Sequence, residues 1–164
     1  MKFRKRHYRA QVDTRDCGVA ALAMVLGYYG SYVSLATLRE KAKTTNDGTT
    51  ALGLVKVAEE LGFETRALKA DMTLFGMEEV SYPFIAHVLK DGKLLHYYVV
   101  TGYDKHSIHV ADPDPQVKMT KIPRERFAQE WTGITIFLAP SPAYKPNQEK
   151  KNGLLDFIPL LTKQ

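Results

Sequence analysis

The sequence predicts an α+β fold in which an N-terminal helical lobe, with one central buried helix, packs on a C-terminal antiparallel sheet. Three observations predict it. Residues 17–30 are apolar around most of the circumference of a helix, the pattern of a helix buried on all sides. After Gly62 the pattern changes to short apolar or alternating runs separated by turn residues. Helices therefore occupy the first half and strands the second, the segregation typical of α+β domains.

Each element has its own signal. Asp16 stands where an N-cap is expected and Gly30 ends the first helix. Ser34 caps a second helix. Residues 44–50 form a polar loop, after which Thr50 caps a third helix over 51–61, stopped by Gly62. Residues 63–70 alternate as a strand, and a short helical turn is expected near 73–79. Strands over 84–89 and 94–101 flank Lys90-Asp91-Gly92-Lys93, where Asp-Gly signals a hairpin turn. A short strand over 107–111 is closed by Asp112-Pro113, because proline lacks the N–H that a ladder needs. A helix over 123–131 opens on Pro123, and residues 133–139 form a last strand.

Length and composition bound the function. The chain has 164 residues, 45% of them hydrophobic and 25% charged, enough apolar material for one core and against disorder. We assign one domain to residues 1–140. Residues 141–164 lie outside it, beginning with a polar, proline-rich linker and followed by an apolar run of Leu154, Leu155, Phe157, Ile158, Leu160 and Leu161 that is too short to span a bilayer. Net charge is +5, from 23 basic residues against 18 acidic ones spread widely. No RNA- or DNA-binding motif accompanies that charge, so nucleic acid is not an expected partner. The basic start and the apolar stretch over 19–29 loosely mimic a secretory signal. Asp13, Arg15 and Asp16 interrupt that pattern and no small-residue cleavage site follows, so no signal peptide is expected.

A single cysteine forms no internal disulfide. Cys17 falls in the first turn of the central helix, where free backbone N–H groups and the helix dipole favour a thiolate. The thiolate is the attacking form of a cysteine nucleophile. Gly18 leaves room there for a peptide backbone. The plainer reading is a buried structural thiol. Of five histidines, His96 shares a strand face with Leu94, Tyr98 and Val100, and Asp112 ends the following strand. Two adjacent antiparallel strands can bring His96 and Asp112 together, so that the carboxylate orients the imidazole as a base. Gln11, six residues ahead of Cys17, can offer an amide N–H to an oxyanion beside the helix N-terminus. His87 reads as structural and His7 as part of a solvated basic arm. His106 and His109 would not share a ligand face, and no matching Cys or carboxylate cluster exists, so no metal or other cofactor is expected.

The segment Gln11-Val-Asp-Thr-Arg-Asp-Cys17-Gly-Val-Ala-Ala-Leu-Ala-Met resembles the nucleophile segment of the bacteriocin-processing cysteine peptidase domain found at the N-terminus of peptide-exporting ABC transporters. The resemblance continues through Gly48, Leu54, Ala58 and Gly62, then His96-Tyr-Tyr-Val-Val, then Val110-Ala-Asp112-Pro. It implies a reduced papain-like fold with Cys17 as nucleophile, His96 as base, Asp112 as its orienting group and Gln11 at the oxyanion. It also implies cleavage of a bacteriocin or quorum-sensing pheromone precursor after a double-glycine leader, which such domains bind as an amphipathic helix. The partners it implies are transmembrane and nucleotide-binding domains of one transporter, on the cytoplasmic side of the bacterial membrane, with residues 141–164 as the linker and the start of the juxtamembrane segment. This chain carries no G-x-x-x-x-G-K-[ST] phosphate loop. Two alternatives stay open: a non-catalytic leader-binding module, and another thiol hydrolase on a papain-like scaffold such as a cell-wall amidase.

Overall fold

Helix α1 (Cys17–Tyr28) is the axis around which the chain is organised, and every residue of it except Gly27 is buried. A computed structural model describes residues 1–149; the apolar run at 154–161 lies outside the described residues. Side chains such as Leu22, Met24 and Leu26 are fully enclosed, each contributing about 1.5–3 kcal/mol of burial. The helix ends at Tyr28, and Gly30 takes a positive φ of 97° as the chain turns away.

The helical lobe is completed by α2 (Leu35–Ala42) and α3 (Ala51–Glu60), capped by Ser34 and Thr50 respectively. The two helices approach closely at Gly53, where a Cβ would lie 2.8 Å from the Ala42 carbonyl oxygen. Asp16 holds the N-cap position of α1 but makes no side-chain cap bond. Its carboxylate turns back to the N–H groups of Val12 and Asp13, while Asp13 caps a 3₁₀ turn over Thr14–Asp16.

Six strands form one antiparallel sheet: β1 (Phe63–Lys69), β2 (Phe84–Lys90), β3 (Leu94–Tyr103), β4 (Ser107–Asp112), β5 (Lys118–Pro123) and β6 (Trp131–Pro140), in the order β1-β6-β2-β3-β4-β5. The β2–β3 hairpin turns at Asp91 and Gly92, both with positive φ as a type I′ turn requires. β5 has no counterpart among the expected elements. Only Ile122 of its six residues is buried, so it carries little periodic signal. Pro123 ends this strand, and the helix expected to begin there, α4 (Arg124–Glu130), starts one residue later.

Both sheet faces are covered. One packs Ile85, Tyr97, Val99, Ala111, Ile136 and Leu138 against the helical lobe. The other packs Phe84, Tyr98, Val100 and Val110 beneath α4 and a 3₁₀ turn at Met72–Gly76. Residues 141–149, expected within a linker, run back over the helical lobe. The Tyr144 ring packs on Phe63 at 4.8 Å, and Glu149 accepts hydrogen bonds from the Ser34 N–H at 2.8 Å and from Thr37 Oγ1.

Candidate active site

Cys17 is the first residue of α1 and is 5% exposed. His96 lies near the start of β3 and Asp112 at the end of β4, both buried. His96 Nε2 and Asp112 Oδ1 are 2.6 Å apart, and the imidazole is coupled electrostatically to Cys17. With Nε2 committed to Asp112, the ring nitrogen left for the thiol is Nδ1. The ring stands edge-on against Tyr98 at 5.7 Å, which agrees with the strand face expected for His96.

The electrostatics favour a charged imidazole. Burial pulls the His96 pKa down, but hydrogen bonds and charge from Asp112 and Cys17 outweigh it and raise the pKa to about 9. Burial likewise works against an ionised Asp112. The His96 bond and charge, the Lys90 ammonium and the Asp114 N–H prevail and hold the carboxyl below its ordinary range. Asp112 Oδ1 accepts from the Asp114 N–H at 2.9 Å, and Oδ2 from Lys90 Nζ at 2.8 Å.

The N-terminal segment is tied to the loop after β4. Tyr8 donates its hydroxyl to the Asp112 carbonyl at 2.7 Å, and the Gln11 N–H donates to the Pro113 carbonyl at 2.8 Å. Gln11 is thereby held beside the Asp112 loop, while Asp16 anchors the backbone of Val12 and Asp13 next to Cys17. The Gln11 Oε1 is buried without a hydrogen-bond partner.

A cleft of about 430 Å³ runs past Cys17, bordered by Thr14, Gly48, Thr49, His87, Leu95 and Tyr97. The space at Gly18, expected to admit a substrate backbone, is filled from within. A Cβ there would lie 3.2 Å from Tyr97 Cε2 and 3.3 Å from Thr49 Cβ. Tyr97 is fixed in turn by donating its hydroxyl to the Thr49 carbonyl at 2.9 Å. His87 packs edge-on against Tyr97, and its Nδ1 lies 2.9 Å from Thr132 Oγ1. His7, expected to be solvated, is instead buried against Phe3 and Tyr28. His109 pairs with Asp104 at 2.8 Å, away from the cleft.

The sequence points to Cys17, His96, Asp112 and Gln11 but not to Lys90, Tyr8 or the Asp16–Arg39 pair. Lys90 carried no readable signal: a two-residue Asp91-Gly92 turn would pair it with Lys93, whereas the observed register pairs Lys90 with Leu94 and Val88 with His96, which puts Lys90 and His96 on one face. Nothing local marks Tyr8 or Arg39, whose partners lie 104 and 23 residues away in sequence.

Residues 5–143 match the model of the peptidase C39 family. Over all 164 residues the chain is 76% identical to the transport/processing ATP-binding protein ComA of Streptococcus pneumoniae, and 55% identical to the lactococcin-A transport/processing ATP-binding protein LcnC of Lactococcus lactis. It spans 23% of the length of each. Among solved structures it is similar to the peptidase domain of Streptococcus ComA, with TM-score 0.79 and 56% identity over 81% of this chain and 97% of that one. It is also similar to a double glycine motif protease from an AMS/PCAT transporter in complex with the leader peptide, with TM-score 0.72 and 30% identity over 80% of this chain and 89% of that one.

Proposed function

Because the chain belongs to the peptidase C39 family, a family of cysteine peptidases, we propose that it cuts a leader peptide from its cargo after a Gly-Gly pair, with Cys17 as the nucleophile. The observation that carries this reading is the buried His96–Asp112 pair, 2.6 Å apart, with Cys17 at the head of α1 electrostatically coupled to the imidazole. The Cys17 thiolate attacks the carbonyl carbon of the second glycine. The side-chain amide of Gln11 and the backbone N–H of Cys17 receive the oxyanion. The tetrahedral adduct collapses as His96 gives its proton to the leaving amine, leaving a thioester on Cys17. His96 then takes a proton from water, whose oxygen attacks the thioester and releases the leader carboxylate. Asp112 accepts the Nε2–H bond throughout and keeps Nδ1 aimed at the reacting atoms.

A cleft that excludes side chains suits a Gly-Gly pair, since a Cβ beside the scissile bond would clash with its walls. The leader, an amphipathic helix, docks its apolar side on Leu52 of α3 with Leu95 and Ile134 of the sheet. All three are exposed, and Leu95 and Ile134 border the cleft. The relatives are transport and processing ATP-binding proteins about four times as long as this chain. Membrane and nucleotide-binding domains of one transporter are accordingly its proposed partners, with cleavage on the cytoplasmic side and a bacteriocin or quorum-sensing pheromone as cargo. Among the described residues no helix is long and apolar enough to cross a membrane.

The test is hydrolysis of a synthetic leader peptide ending in Gly-Gly and followed by a short cargo, comparing the chain with Cys17→Ala under reducing conditions. Cleavage after Gly-Gly by the parent alone supports the reading. Binding without cleavage by both forms would leave a recruitment module.

A further inference from the structure

Asp112 has two carboxylate oxygens, and His96 engages only Oδ1. The other is held by Lys90, the last residue of β2, at 2.8 Å from Nζ to Oδ2. The Lys90 side chain is 14% exposed and that of Asp112 1%. The ammonium also lies over the Tyr98 ring at 5.6 Å. Holding a long flexible side chain in one conformation costs rotamer entropy, and withdrawing an ammonium from water costs solvation. A lysine that serves only solubility would point outward from this hairpin end, as water-exposed lysines do. Here the β2–β3 register, with Lys90 opposite Leu94 and Val88 opposite His96, aims it inward on the same sheet face as His96.

We propose that Lys90 is a positioning residue for the catalytic pair, fixing the Asp112 carboxylate so that Oδ1 faces His96 and drawing off part of the negative charge that the imidazole senses. The inference rests on the peptidase reading for its consequence in catalysis. The groups around this carboxylate come from several elements: His96 and Tyr98 on β3, Cys17 on α1 through His96, the Asp114 backbone after β4, and Tyr8 of the N-terminal segment, whose hydroxyl donates to the Asp112 main-chain carbonyl. Glu130 of α4 joins through Tyr98, whose hydroxyl it accepts at 2.9 Å, and Arg126 pairs with Glu130 at 3.2 Å. Among the described residues only Lys90 and His96 bring positive charge into hydrogen-bond contact with Asp112. A full carboxylate charge beside His96 would hold the imidazolium proton more tightly, and the Lys90 ammonium moderates that hold.

The experiment compares the full chain with Lys90→Met, Lys90→Gln and Lys90→Arg, using two readouts between pH 6 and 10.5. One is kcat/KM on the Gly-Gly leader peptide. The other is the His96 imidazole titration followed by NMR, which needs no turnover. Neutral variants are expected to move both the alkaline limb and the imidazole titration upward by about 0.5–1 pH unit, and Lys90→Arg to restore the parent values. Two neutral substitutions guard against one that fails to fold. Superimposable titrations for the parent and a folded neutral variant would overturn the proposal and leave Lys90 as a structural ion pair. A parent that does not cleave, with a titration that still moves on removing Lys90, would sink the peptidase reading and leave the Lys90–Asp112–His96 coupling standing.

Discussion

Arg39 on α2 grips Asp16, the residue immediately before Cys17, with Nε 2.6 Å from Oδ1 and a second bond of 3.2 Å to Oδ2. The Asp16 side chain is fully buried and Arg39 is about one-third exposed. The same carboxylate anchors the N–H groups of Val12 and Asp13, so a single anion ties α2 to the segment between Gln11 and Cys17.

Removing the cation alone leaves a buried carboxylate without its partner. Arg39→Ala is expected to destabilise the chain by about 2–3 kcal/mol, at the modest end for a broken buried pair because water reaches the arginine side. Chemical unfolding at pH 7 measures this. A loss under 0.5 kcal/mol would mean that water replaces Arg39 without penalty.

Gln11 is held by its backbone, through the bond to Pro113, so its side chain can be truncated without releasing the segment. As an oxyanion donor, Gln11→Ala should lower kcat by about 10²–10³-fold with little change in KM. Steady-state kinetics on the leader peptide separate the two. An unchanged kcat would remove Gln11 from the proposed mechanism.

His96 makes the chain sensitive to alkali. Its folded-state pKa of about 9 lies above the ordinary 6.5. The stability it contributes is therefore fully present below pH 6.5 and is lost as pH rises through about 9. Activity requires the imidazolium and should decline over the same upper range. Asp112 has the opposite sign: its pKa is depressed, so its contribution is present above the ordinary carboxylate value and lost as acid protonates it. Thermal unfolding measured from pH 2 to 10.5 checks both limbs, kcat/KM measured up to pH 10.5 checks the alkaline one, and an activity still rising above pH 10 would contradict the first.

Much of the fold was legible because its signals are local. The all-round apolar run of α1, the caps Ser34 and Thr50 and the Asp91-Gly92 turn each act within a few residues of chain. Cys17 was placed by the helix it begins, and His96 with Asp112 by the alternation of two neighbouring strands. Asp16 misled because a carboxylate ahead of a helix usually caps it. Here Arg39, delivered by a different helix, competes for the side chain and draws it the other way.

The sequence by itself determined the succession of helices and strands and the residue types available for chemistry, since periodicity and turn preference are written in adjacent positions. Tertiary structure alone decided that β6 inserts between β1 and β2, that Tyr97 and Thr49 fill the space at Gly18, and that Lys90 reaches the second oxygen of Asp112. These depend on which segments meet in space, and a meeting between distant segments leaves no trace in the local pattern of either one.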